Sequence, residues 1–164
     1  MGLDMYLIKK TYIGANYEHR GVSGKIDITI KDSPININFN RVRSISEQVG
    51  YWRKANQIHN WFVDNVQNGE DDCREHSVIR EDFENLLKSV NLVLNAKGTP
   101  EESSVIADNL PPTDGFFFGS TEIDEWYWTD LELTKQIVSD VLAEMDEDSK
   151  NPDMWADYYY SSSW

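Results

Sequence analysis

An α+β fold, with a small and mostly antiparallel sheet packed against about three helices, follows from three features of this 164-residue sequence. Apolar residues alternate with polar ones near the start and again over 26–39, the period of strands. Apolar residues recur every three or four positions over 51–67, 79–94 and 127–145, the period of helices with one buried face. Clusters such as Asn68-Gly69, Gly98-Thr99-Pro100 and Asp32-Ser33-Pro34 separate these stretches. The length suits a single compact domain over residues 1–164, because a chain of this size buries one substantial core and is short for two.

In order, Leu3, Met5 and Leu7 alternate with Asp4, Tyr6 and Ile8, which predicts a strand with one face more deeply buried. Residues 14–24 lack any period and read as a loop. Ile26, Ile28 and Ile30, a turn at Asp32-Ser33-Pro34, then Ile35, Ile37 and Phe39 predict a hairpin. Residues 51–67 read as a central helix, its buried sector holding Tyr51, Trp52, Ala55, Ile58, His59, Phe62, Val63 and Val66. Gly69 supplies its stop, since glycine readily takes the left-handed conformation. A second helix carries Ile79, Phe83, Leu86, Leu87, Val90, Val93 and Leu94. Residues 99–114, with three prolines and several acidic residues, read as an acidic, mobile loop. Phe116-Phe117-Phe118 reads as a buried strand, and Thr121 as the N-cap of a third helix striped by Tyr127, Leu131, Val138, Val141, Leu142 and Met145. An aromatic strand over 154–160 closes the sheet, with Trp164 docked against it.

Charge is the most informative bulk property. The net charge is −14, and it is divided unevenly: +3 through Asn68 and −17 from Gly69 onward. A field of that sign disfavours direct nucleic-acid and anionic-membrane binding and favours a partner with a basic surface. No stretch approaches the roughly 18 to 20 apolar residues of a membrane span, and the opening residues lack a secretion signal. One cysteine fits a reducing compartment, so the expected location is cytoplasmic.

The segments Met1-Gly2-Leu3-Asp4-Met5-Tyr6-Leu7, Gly50-Tyr51-Trp52-Arg53-Lys54-Ala55-Asn56, Ile58-His59, Trp61-Phe62-Val63 and Phe116-Phe117-Phe118-Gly119-Ser120-Thr121 together resemble a group of small uncharacterised proteins encoded by bacteriophages and prophages. The likeness spans most of the chain. It implies no activity. It implies a setting, because small phage proteins of this kind are often accessory factors that bind and inhibit host or defence machinery, an inference from association alone.

Candidate chemistry is sparse. His59 falls in the apolar sector of the central segment, where it is either a core histidine or, with Arg53 and Asn56, part of a ligand pocket; a lone histidine without a nucleophile defines no reaction. Trp52, Trp61 and Phe62 could stack on a flat ligand or simply fill the core. Cys73 and His76 have a two-ligand spacing, but a structural zinc site wants four such ligands and the chain holds one Cys and three His in all. No metal or cofactor is therefore expected. Gly119-Ser120-Thr121 resembles the start of an anion cradle, yet Glu122, Asp124 and Glu125 already occupy that helix start and no phosphate-binding lysine follows.

Two readings of function remain. The first is a non-enzymatic, phage-type accessory protein that binds a host or anti-phage defence protein through acidic residues, with Glu70, Asp71, Asp72, Glu101, Glu102, Asp146, Glu147 and Asp148 as its contact set. The alternative is a small-ligand or nucleotide-signal binding protein, or an enzyme, with a pocket near Arg53, Asn56 and His59. A concave site at Arg53 and Asn56 favours the alternative, and a flat wet surface there removes it.

Overall fold

The computed structural model describes residues 2–15, 17–115 and 118–164. In chain order the elements are β1 (Asp4–Tyr12), β2 (Ile28–Ile30), β3 (Ser33–Ile35), β4 (Ser44–Arg53), α1 (Asn56–Asn65), β5 (His76–Val78), α2 (Arg80–Ala96), α3 (Glu102–Asn109), α4 (Glu125–Asp148) and β6 (Trp155–Ser163). The fold is α+β, as its residue periods predict.

Fully buried Leu3, Met5 and Leu7 alternate with partly exposed Asp4, Tyr6 and Ile8, so β1 turns one face inward. It pairs antiparallel with β4 on one side and β6 on the other, and short β5 extends the sheet beyond β6, giving the order β4-β1-β6-β5. The inward face continues with Trp52 from β4 and Tyr158 and Tyr160 from β6, all at most 2% exposed. Phe62 of α1 stacks on Tyr160 with ring centroids 3.9 Å apart. Leu86, Val90 and Val93 of α2, Ile106 of α3 and Leu131, Val138 and Val141 of α4 complete the same core. The Trp52 indole donates to Thr134 Oγ1 of α4 at 2.9 Å, satisfying a buried N–H and tying sheet to helix.

Several expectations need correction. Tyr51 and Trp52 do not begin the central helix. They belong to β4, where Tyr51 lies opposite Tyr6 and Trp52 opposite Met5. Gly50 and Trp52 are buried while Tyr51 and Arg53 are exposed, a period of two that short apolar runs share ambiguously with helices. Lys54 then takes a left-handed φ of 61°, which ends the strand before α1 starts at Asn56. The helix ends at Asn65, two residues before the expected end, and the chain then turns through Asn68 and Gly69, both with positive φ, where the Gly69 N–H donates to Val63 O at 2.8 Å.

The hairpin over 26–39 is reduced to β2 and β3, a separate two-stranded sheet. Its turn falls on Lys31 and Asp32, both with positive φ, one residue earlier than expected and with the twist that two-residue hairpin turns require. Ile28, Ile30 and Ile35 stay 42 to 58% exposed, so the hairpin stands outside the core.

Residues 99–114 are not one long loop. They contain α3, entered through Thr99 and Pro100 and held by Ile106 in the core. Pro100 just before the helix and Glu102 in its first turn are start signals outweighed in the sequence by the later prolines. Thr121 does not cap α4. Asp124 does, accepting from the Trp126 and Tyr127 N–H groups. The strand expected at 116–118 lies largely outside the described residues; Phe118 is outside any strand and meets the His59 ring edge-on, with centroids 5.0 Å apart. Trp164 remains 47% exposed, its indole donating to Asp71 at 3.2 Å.

Candidate functional site

The end of β4, the first turn of α1 and the first turns of α4 enclose a cleft of about 340 Å³. Its chemistry comes from Arg53, Lys54, Gln57, Glu122, Trp126 and Asp130. Each is placed by local structure. Gly119, at φ 94°, brings its backbone against Lys54, and a Cβ there would come within 3.2 Å of the Lys54 side chain. The Asp124 cap fixes the first turn of α4, from which Tyr127 points inward and donates to Leu110 O at 2.8 Å. Trp126 points outward and is 76% exposed. Asp130, four residues on, lies on the same helix face as Trp126.

Asp130 is the half-buried carboxylate of the cleft wall. Among the described residues its one side-chain bond is from Gln57 Nε2, at 3.4 Å near the outer limit of hydrogen bonding. Burial raises its pKa to about 6, with the charge of Asp124 adding to the rise and the Gln57 bond opposing it. Arg53 is also little engaged: its side chain is 65% exposed and 3.9 Å from Asp4. A carboxyl raised to about 6 in a cleft also lined by exposed cations and an exposed indole is an arrangement more often found at ligand sites than on inert surface.

The three residues expected to form a pocket are not brought together. Arg53 lines the cleft with a guanidinium held, among the described residues, only by a long 3.9 Å ion pair to Asp4. Asn56 borders it, but its amide is spent on structure: Nδ2 donates to Phe118 O at 3.2 Å and Ser120 O at 2.8 Å, while Oδ1 accepts from Thr113 N at 2.9 Å. It clasps the 113–120 segment to α1 and has little left for a ligand. His59 is outside the cleft altogether and 1% exposed. Its Nδ1 lies 2.7 Å from the Tyr160 hydroxyl, and its Nε2 lies 3.2 Å from Asp71 in an alignment poor for a hydrogen bond. Burial lowers its pKa, against the pull of Asp71. His59 is a core histidine.

Compared with protein-family models, curated proteins and solved structures, the chain matches none. The site rests on its own geometry.

The eight acidic residues expected as a contact set sit in three places, after α1, at the start of α3 and at the end of α4, and most have partners within the chain. Asp71 faces His59 and Trp164. Asp72 binds Arg74 and His76, and the His76 bond first, then Arg74, holds its carboxyl well below the usual range. Glu102 accepts from the Gly98 N–H. Asp146 pairs with Arg80 at 2.6 Å, Glu147 with Lys150 at 2.6 Å and Asp148 with Lys9 at 2.8 Å. Glu70 is 79% exposed and 4.0 Å from Arg74. Glu101 is exposed and caps nothing with its side chain. Cys73 is an exposed free thiol, and His76 is taken up by Asp72. Among the described residues no three His, Cys, Asp or Glu side chains converge as a metal-binding group, and no helix is long and apolar enough to cross a membrane.

Sequence reasoning misses Lys54, Gln57, Trp126 and Asp130. Trp126 and Asp130 carry one legible signal, an aromatic and a carboxylate at i and i+4 beside the buried stripe of α4. Gln57 falls on the wet face of a helix drawn over 51–67, yet it is 3% exposed because its side chain reaches Asp130 of α4, a cover that the helical period cannot show.

Proposed function

We propose that this protein binds a small polar ligand in the cleft between the β4–α1 junction and α4, with its ligand groups supplied by Arg53, Lys54, Gln57, Trp126 and Asp130. The observation that carries this reading is Asp130, a partly buried carboxyl at the cleft wall with one long hydrogen bond and a raised pKa. A group of this kind is costly to keep unless something uses it. The cleft sets two cations (Arg53, Lys54) among three carboxylates (Glu122, Asp124, Asp130), which suits a ligand rich in donors that also carries some negative charge. The test is a survey of small charged and zwitterionic compounds against ¹⁵N-labelled protein. Shifts confined to the Trp126 indole, the Gln57 amide and their neighbours are expected; shifts elsewhere, or none at millimolar concentration, would overturn the reading.

A second reading is the phage-type accessory protein that meets a basic surface on a host or defence protein. It is supported by the net charge of −14 and by Trp155, 66% exposed, an aromatic anchor available to a partner. With the other acidic residues paired inside the chain, Glu70 and Glu101 become the carboxylates to reverse. Capture of a basic partner that is salt-sensitive, and weakened by Glu70→Lys with Glu101→Lys, is the expected result; capture indifferent to both removes it.

A further inference from the structure

If the cleft binds a small polar ligand, as proposed, its unfilled groups select a chemical class, and that selection depends on the ligand-binding reading. An ionised carboxylate only accepts hydrogen bonds and offers about four lone-pair positions. At Asp130 a single side-chain donor, Gln57 Nε2 at 3.4 Å, takes up one of them. No ion pair joins Asp130 to Arg53 or Lys54 among the described residues, although all three line one cleft. A half-buried carboxylate with both oxygens largely unfilled matches a planar fork of two parallel N–H donors, the geometry that carboxylates bind bidentately. Trp126, one helical turn back on the same face and 76% exposed, offers a flat surface for a planar group. Arg53, 65% exposed at its side chain, provides for an anion.

We infer that the cleft takes a ligand combining a planar two-donor fork, received by Asp130 and stacked on Trp126, with an anionic group met by Arg53 and Lys54. Two common chemistries present that fork: the N1–H and 2-amino edge of a guanine nucleotide and the guanidinium of free arginine. Adenine offers a donor beside an acceptor, hypoxanthine lacks the 2-amino group, and lysine carries the charge of arginine without its fork.

Titration calorimetry with guanosine, inosine and adenosine monophosphates, with arginine and lysine, and with inorganic phosphate tests this directly. Guanosine monophosphate is expected to bind at least tenfold more tightly than the inosine and adenosine forms, or arginine at least tenfold more tightly than lysine; the arm that responds identifies the source. Asp130→Asn, which keeps the shape but presents an amide, should abolish that preference with the circular-dichroism spectrum unchanged, and Trp126→Ala should weaken the preferred ligand. Binding should also fall as pH drops through about 6, where Asp130 gains its proton. Equal binding within both sets, binding matched by phosphate alone, or a preference that survives Asp130→Asn overturns the inference. If no fork-bearing compound binds while other compounds still shift the Trp126 and Gln57 signals, the ligand class is wrong and the cleft reading stands. If nothing shifts them, both fall.

Discussion

His59 Nδ1 and the Tyr160 hydroxyl meet 2.7 Å apart inside the core, joining α1 to a central strand of the sheet. Asp71 beside Nε2 favours the tautomer protonated there, which leaves Nδ1 to accept from the Tyr160 O–H. Tyr160→Phe would strand a buried acceptor. A loss of about 1 to 3 kcal/mol in urea unfolding is expected, and an unchanged midpoint would show that the bond contributes nothing net.

The same histidine sets a pH limit. Burial holds its folded pKa below the ordinary 6.5, so below that value the unfolded chain binds a proton that the native state refuses. Stability from His59 is therefore complete above about pH 6.5 and is lost as pH falls toward the folded pKa. His59→Gln should flatten this acid-side decline in a series of unfolding curves between pH 7 and 5.

Asp130 has the opposite sign. Its folded pKa of about 6 exceeds the unfolded 3.8, so the native state holds its proton more firmly, and the stability this confers is full below about 3.8 and lost as pH rises through 6. At neutral pH the ionised group is a burden. Asp130→Asn should stabilise the protein at pH 7 by about 1 to 2 kcal/mol, discounted for the water that reaches a cleft, and the gain should vanish near pH 4. A gain that persists at pH 4 would mean that ionisation is not its cause.

Asn56 reaches three backbone groups of the 113–120 segment. Asn56→Ala should cost on the order of 2 kcal/mol and raise amide exchange most strongly at Thr113, whose N–H loses its acceptor. Uniformly faster exchange across the whole sheet would instead point to general loosening.

Lys9, 7% exposed, projects from the inward face of β1 to Asp148 and Glu144. Burial works against its charge, but bonds to Asp148 and then Glu144 outweigh that and raise its pKa. Asp148→Asn should cost about 1 to 3 kcal/mol, since Glu144 still offsets part of a charge left half-paired. Glu70→Gln, on the open surface, should leave the thermal midpoint nearly unmoved. Equal effects from the two would contradict the burial of this pair.

The stripes of α2 and α4 and the alternation of β1 are legible from residues alone because a long amphipathic pattern admits one period. Tyr51 and Trp52 are not, because four residues ending a strand beside a helix fit either period until Lys54 breaks the chain direction. Asn56 has the look of a recognition group in sequence; only the fold reveals that the carbonyls of Phe118 and Ser120 need it. The cleft is hidden for a similar reason, since Gln57 and Asp130 stand 73 residues apart and meet only after α4 packs on the sheet.

The order β4-β1-β6-β5 places a late segment, residues 155–163, between two earlier strands. During synthesis β1 can pair with β4 as soon as residue 53 has emerged, but its other edge waits about a hundred residues for β6. In that interval Leu3, Met5 and Leu7 have only part of their cover, and β1 offers an open hydrogen-bonding edge to other nascent chains. Folding yield should accordingly depend on chaperone supply and on translation speed through α4 more than on the stability of the finished protein.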